Sequence, residues 1–437
     1  MSGSGRRFLF VVPPLVGHIN PTLGVGAELA GRGHRVAWAG VPEVVGRLAG
    51  EGAAVFRCAG PALGEGGADA VRPADVRGPE ALKLLWERFL VPLAEAMAPG
   101  VRAAVEEFRP DVVVADQQAV AGGLVAERLG VRWATSATTS AEFAGALDGM
   151  PRVAAWLEGL LEGLRGRVGD PAGTADPRFS PHLVLAFTTE ELAGRPTRAA
   201  ERIRFVGPSI AARPAAPDFP WEWLDPARPA VLVTLGTVNA DAGARFLSVC
   251  REAVRARADR LQAILLDPAG TLDTGPGAPL DTWPGAPTDT WPGAPLNDDV
   301  LVVREVPQLP LLERMAAVVC HAGHNTVCEA LWHGVPLVVA PIRDDQPVVA
   351  GQVVAAGAGV RVRFGRVTAA GLGEALDTVL YEPGCRAAAE RVGASFRTAG
   401  GAAAAADHLE RLAASAAPSA PPPAPQPGPV AVPLEER

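Results

Sequence analysis

Short, continuous apolar runs alternate along this chain with longer stretches in which apolar residues recur at helical spacing. In the first half the runs fall at residues 8–12, 35–39, 111–115, 131–134, 183–187 and 203–206. Helical stretches lie between them, one reaching about Gly31 and others at 82–97 and 119–129. In the second half the runs are 231–235, 262–266, 300–303, 316–320, 337–340 and 359–363. Helices are expected there at 246–257, from about Asn325 to Gly334, and at 370–380, 386–396 and 402–414. Apolar runs bounded by turn residues and separated by helical periodicity predict buried parallel strands with crossover helices, so the fold class is α/β. Residues 13–21 read as a loop, with Asn20 as the N-cap of the first helix and Pro21 at its first position.

Two interruptions divide the alternation. Residues 211–220 (A-A-R-P-A-A-P-D-F-P) are proline-rich and predict a linker. The expected organisation is a first domain at 1–212, a linker at 213–220, a second domain at 221–398, a terminal helix at 399–414 and a disordered Ala/Pro-rich tail at 415–437. Inside the second domain, P-G-A-P-L-D-T-W at 276–283 recurs as P-G-A-P-T-D-T-W at 284–291 and again, truncated, at 292–296. So short a repeat cannot build a solenoid, and its Pro/Gly density forbids helix and disfavours strand. A flexible surface insertion over 275–295 is expected, with a lid carrying Trp283 and Trp291 as the competing reading.

Composition narrows the function. The 437 residues are 48% hydrophobic and 20% charged, enough for two or three domains with ample core. The net charge is −8 and no basic stripe is visible, which argues against nucleic acid as a partner. No apolar run reaches membrane-spanning length, and the N-terminus leads straight into a strand, so neither a membrane span nor a secretory signal is expected. The five cysteines (58, 250, 320, 328, 385) are scattered, without a Cys-x-x-Cys pair or a disulfide framework. A cytoplasmic protein is expected.

The chemistry concentrates in residues 319–346, V-C-H-A-G-H-N-T-V-C-E-A-L-W-H-G-V-P-L-V-V-A-P-I-R-D-D-Q. A strand, a small-residue turn, a helix and a second strand follow one another. Gly323 in the turn allows close approach of a ligand to the backbone, and the N–H groups and dipole of the new helix suit an anion. His321 can donate to a phosphate oxygen, and Asn325 and Thr326 add donors in the first turn. Asn325 and Glu329 share a helix face at i,i+4. Asp345 and Gln346 offer an acceptor and an amide suited to sugar hydroxyls. Each residue alone has an ordinary explanation: a capped or solvated histidine, a helix cap, a polar loop. Their placement at successive strand and helix ends is what points to a ligand, because open α/β sheets bind ligands at the carboxyl ends of their strands. Trp86, Phe89, Phe143 and Trp156 are candidates for an apolar pocket, although core positions explain each one more simply.

This stretch closely resembles the nucleotide-sugar signature of the inverting family 1 glycosyltransferases, the UDP-glycosyltransferase superfamily with the GT-B fold. Gly17-His18-x-x-Pro21 is similar to that family's N-terminal motif. The resemblance covers roughly residues 6–412 and implies two Rossmann-like parallel-sheet domains facing a cleft, with the last helices crossing back to the first domain. It implies His18 as catalytic base, with Asp116, or else Asp111, as its partner. It implies His321, Asn325 and Thr326 at the diphosphate beside Gly323, Gly236-Thr237 touching the same group, and Glu329 at the ribose. Val306 and Gln308 would lie at the base, and Asp345 and Gln346 at the donor sugar. Two departures stand out: Glu305 replaces an aromatic that would stack on the base, and Ala322 stands where Gly or Cys is commoner.

The expected activity is metal-independent, inverting transfer of a hexose, with UDP-glucose favoured as donor, to a hydroxyl of an apolar small molecule of polyketide, macrolide, flavonoid or terpenoid class. No cofactor is expected, and the protein would be a monomer or homodimer. The rival readings are a nucleotide-sugar epimerase of the same architecture and a non-catalytic partner that keeps the fold.

Overall fold

The computed structural model describes residues 5–50, 52–61, 76, 78–210, 218–236, 243–272, 294–297 (backbone only) and 299–415. The expected linker core, most of the repeat, Thr237 and the Ala/Pro-rich tail lie outside the described residues.

Two seven-stranded sheets form the frame. The first contains β1 (Arg7–Val11), β2 (Arg35–Gly40), β3 (Val55–Arg57), β4 (Val112–Asp116), β5 (Trp133–Ala137), β6 (Val184–Ala186) and β7 (Ile203–Phe205). Their order is β3-β2-β1-β4-β5-β6-β7, and every pairing is parallel. The second contains β8 (Ala230–Thr234), β9 (Gln262–Leu266), β10 (Ala294–Asn297), β11 (Val300–Val303), β12 (Ala317–Cys320), β13 (Leu337–Val339) and β14 (Gly359–Arg361). Its order is β10-β11-β9-β8-β12-β13-β14, with β10 alone antiparallel to its neighbour.

The central strands are buried on both faces, as their uninterrupted apolar sequences require. Trp86 and Phe89 belong to the core of the first sheet, and Phe143 to a smaller cluster beside β6, all three essentially without exposure. Core packing therefore accounts for them, and only Trp156 is partly exposed.

Four local expectations change. Residues 79–108 form one long helical run interrupted by a π-helical turn at Leu85–Leu90. Helices at Pro151–Val168 and Gln346–Ala355 were not read from the pattern. The end of the repeat supplies strand β10, which pairs antiparallel with β11 at the edge of the sheet, where proline is tolerated. Finally, the first helix runs Val16–Gly31, with Pro21 inside it. The expected loop at 13–21 is thus half helix, and neither Asn20 nor Pro21 marks the helix start.

The last helix, Gly401–Ala414, returns to the first sheet. Ala405, Ala406 and Leu409 join the cluster of Phe8, Phe10 and Leu29, and Glu410 bonds both Arg32 and His34.

The strand orders position the site. In each sheet the chain moves outward on one side of its first strand and then returns to the other. The reversal lies between β1 and β4 in the first sheet and between β8 and β12 in the second. Such reversals open a crevice at the carboxyl ends of the two flanking strands.

Candidate functional site

In the first crevice, His18 follows β1 and Asp116 ends β4. His18 sits in the first turn of the Val16–Gly31 helix, where its N–H bonds the Leu15 carbonyl. Its Nδ1 lies 2.9 Å from Asp116 Oδ1, so the two residues, 98 positions apart, meet as the reversal dictates. Asp116 is buried, while the His18 side chain keeps 15% of its exposure. The Gln118 N–H donates to Asp116 Oδ1 at 2.8 Å. Thr138, just past β5, places Oγ1 2.8 Å from both His18 Nδ1 and Asp116 Oδ2. Sequence reasoning missed Thr138. The signal for it is register: Asp116 pairs with Ser136 across β4 and β5, and two residues on, a strand returns to the same face. Asp111, the other candidate, is elsewhere: at the opposite end of β4 it accepts from the Arg7 N–H and pairs with Arg6.

In the second crevice, Gly236 follows β8 and His321 follows β12. Gly236 has φ +70°, and a Cβ on it would come 2.7 Å from His321 Cε1. A Cβ on Gly323 would come 2.3 Å from Nε2 of the same ring. The His321 imidazole therefore packs directly against two glycines. Burial pushes its pKa down to about 4, against the opposing pull of Asp345, so the ring is neutral at neutral pH. Burial likewise lowers the pKa of His324. The Nδ1 atoms of both rings are buried and have no hydrogen-bond partner in the protein.

The helix His324–Trp332 starts from Gly323, and no side chain caps it. Its first N–H groups and Thr326, which is buried, converge on this crevice. Glu329 is buried and accepts from Gln308 Nε2 at 2.5 Å, which unites the residues expected at ribose and base. Val306 packs against the core beneath them, and Glu305 is exposed. Ala322 and Asp344 both hold positive φ, at 67° and 58°, a conformation that costs a side-chain-bearing residue roughly 1–2 kcal/mol. Gln346 closes the following loop by accepting from the N–H groups of Ile342 and Arg343 at 2.8 and 3.1 Å.

The crevices meet. Thr139 Oγ1 donates to Asp345 Oδ2 at 2.6 Å, and Ser140 Oγ to Gln352 Oε1 at 2.7 Å. Asn325, expected at the diphosphate, donates from Nδ2 to the Gly17 carbonyl at 2.8 Å. That carbonyl is available because Pro21, four residues on, has no N–H to bond it. The proline thus connects the first turns of the two site helices through Asn325. Among the described residues no group of three or more His, Cys, Asp or Glu converges to hold a metal ion, and no helix is long and apolar enough to cross a membrane.

Comparison with known proteins covers both halves. The family model described as UDP-glucoronosyl and UDP-glucosyl transferase matches residues 287–392, which include the second-crevice residues from Val306 to Gln346. Demethyllactenocin mycarosyltransferase of Streptomyces fradiae is 30% identical, covering 93% of this chain and 87% of its own length. The NDP-glycosyltransferase YjiC of Bacillus licheniformis is 28% identical over 92% of this chain and 96% of its own. Among solved structures, the glycotransferase of kitacinnamycin superposes with a TM-score of 0.70 at 26% identity, covering 93% of this chain and 99% of its own. Structures of this group are two parallel-sheet glycosyltransferases of the GT-B kind.

Proposed function

From the premise that the chain belongs to the UDP-glucoronosyl and UDP-glucosyl transferase family, we propose that it moves a hexose from a nucleotide sugar to a hydroxyl of an apolar natural-product acceptor, with inversion at the anomeric carbon. The observation that carries the reading is the meeting of the two crevices. A His–Asp pair stands at one, and an uncapped helix start beside a neutral, buried histidine stands at the other, joined by Thr139–Asp345 and Asn325–Gly17. The names of the relatives, which include a mycarosyltransferase and an NDP-glycosyltransferase, support the transfer.

The chemistry follows from the parts. An alcohol is a weak nucleophile at neutral pH, so its proton must leave as its oxygen attacks. Asp116 engages His18 Nδ1, which leaves Nε2 to take that proton, and Asp116 balances the imidazolium that forms. The acceptor oxygen bonds to the anomeric carbon on the face opposite the diphosphate. The bond from that carbon to the diphosphate oxygen breaks, and configuration inverts. The N–H groups at the His324 helix start, the Thr326 hydroxyl and a neutral His321 N–H meet the charge gathering on the leaving group. No metal is needed in this scheme. Glu329 and Gln308 take the ribose and base, and Asp345 and Gln346 take the sugar.

UDP-glucose is the favoured donor. Asp345 and the Gln346 amide suit a fully hydroxylated sugar, and a deoxysugar would forgo one of their hydrogen bonds at a cost of about 0.5–1.5 kcal/mol. A panel of UDP-glucose and thymidine-linked deoxysugars against polyketide, macrolide, flavonoid and terpenoid alcohols, read by mass spectrometry, tests the reading. Nucleoside diphosphate should appear only together with a glycosylated alcohol, and most readily from UDP-glucose. Epimerised donor without acceptor, or no reaction with any pair, would overturn the transfer; preference for a deoxysugar would overturn the donor.

A further inference from the structure

We propose that Thr138 is a positioning residue that fixes the rotation of Asp116 and so keeps its carboxylate on His18 Nδ1. The proposal rests on the reading of His18 as base. Its ground is a count of protons at one buried point. Thr138 Oγ1 lies 2.8 Å from His18 Nδ1 and 2.8 Å from Asp116 Oδ2, while Asp116 Oδ1 lies 2.9 Å from the same Nδ1. Thr138 is 3% exposed and Asp116 1%, so the protein itself must supply the partners. A hydroxyl has one proton and an ionised carboxylate has none.

Two arrangements are available. If Thr138 gives its proton to Asp116 Oδ2, then Nδ1 faces two lone-pair oxygens and must carry the ring proton. All three short contacts are then satisfied, with the Nδ1–H shared between Asp116 Oδ1 and Thr138 Oγ1. If Thr138 instead gives its proton to Nδ1, the bare nitrogen faces Asp116 Oδ1, and Asp116 Oδ2 faces the Thr138 oxygen. Those are two acceptor–acceptor contacts at 2.9 and 2.8 Å, in a buried place where unpaired polar atoms are costly. The first arrangement wins, and it leaves the Nε2 lone pair as the base. Thr138 also occupies Oδ2 while the Gln118 N–H holds Oδ1. The carboxylate therefore cannot rotate away from the ring.

The test uses Thr138→Val, which keeps the shape and deletes the hydroxyl, and Thr138→Ser, which restores it. Thr138→Ala serves as a second deletion should the apolar branched side chain perturb folding, and nucleoside diphosphate affinity reports whether each variant is intact. Turnover is measured with an aliphatic alcohol and with an acidic phenol, and 1H–15N spectra of histidine-labelled protein report the His18 Nδ1–H and its hydrogen bond. The deletion should slow the alcohol about tenfold, within the usual range for a perturbed general base. It should slow the phenol much less, leave donor KM and diphosphate affinity nearly unchanged, and weaken the His18 Nδ1–H bond to Asp116, read as an upfield shift of the Nδ1 proton. Ser should restore all of these. Equal losses on both acceptors, or an unchanged Nδ1–H signature in the deletion variants, would overturn the proposal. His18→Ala run in parallel separates the two claims. If it keeps full turnover on the alcohol, the base reading fails, while the 15N spectra still decide what Thr138 does to the ring.

Discussion

The two crevices arise from the same topological device, a reversal of strand order, yet they are finished in opposite ways. At the first, the reactive side chains are partnered within the protein: His18, Asp116, Thr138 and the Gln118 N–H share one set of contacts. At the second, polar groups and backbone are held in costly states. His321 Nδ1 and His324 Nδ1 are buried without partners, and Ala322 and Asp344 hold positive φ. The difference follows from what each crevice must do. A base works best when its tautomer and direction are set before the substrate arrives. A site for a diphosphate needs unspent donors, and the ligand supplies the missing bonds. Strain and unsatisfied polar groups gather where a ligand will relieve them.

The sharpest consequence concerns pH. Folding holds His321 neutral, its pKa lowered from 6.5 to about 4. Between those values the unfolded chain binds more protons, so this contribution to stability is complete above about pH 6.5 and is lost as pH falls toward 4. It amounts to at most about 3 kcal/mol. His324 is shifted in the same direction. Urea titrations across that window should show stability falling with acidity, and His321→Asn should flatten the slope. An unchanged slope would place the burial cost elsewhere.

The seat of the His321 ring gives the next largest effect. Gly236→Ala adds a Cβ against the ring at a positive φ, and the ring must move. Diphosphate affinity measured by calorimetry should fall roughly tenfold or more, about 1.4 kcal/mol or above, while the His18 tautomer stays the same. A smaller change is expected from the bridge between the crevices. Pro21→Ala returns an N–H that can bond the Gly17 carbonyl within the helix, in competition with Asn325. A double-mutant cycle of Pro21→Ala with Asn325→Asp should show coupling on the order of 0.5–1.5 kcal/mol in turnover; strict additivity would remove the bridge from the account. The smallest effect is at Ala322, where glycine accepts the φ of 67° without strain. Ala322→Gly should raise stability by about 0.5–1 kcal/mol in thermal melts.

The two crevices also differed in how far the chain revealed them. The second was legible because its residues crowd into residues 306–346, and each falls at a strand or helix end that the hydrophobic pattern marks. Gly236 carried a weaker signal, since its contact with His321 depends on β8 lying beside β12. The first was legible only through the resemblance of Gly17-His18-x-x-Pro21 to a family motif and through the places of His18 and Asp116 after two strands. Thr138 was not, because a threonine after a strand is unremarkable until the register of β4 and β5 sets it opposite the carboxylate. Pro21 departs from the sequence expectation for a physical reason. Proline is ordinarily excluded from helix interiors because it strands the carbonyl four residues back, and here Asn325, 308 residues away, takes up that carbonyl. Asn325, expected at the diphosphate, has in its amide N–H the donor that makes this bridge.

The central claim is that chemistry resides in the first crevice and donor binding in the second. The most direct measurement is a crossed pair, His18→Ala and His321→Ala, each assayed for turnover on an unactivated alcohol and for nucleoside diphosphate affinity by calorimetry. His18→Ala should lose roughly 10²–10⁴ in turnover, the range for a general base, with affinity almost unchanged. His321→Ala should weaken diphosphate binding first. If His18→Ala keeps near-normal turnover, or if both variants lose turnover and affinity together, the division of labour between the crevices is contradicted.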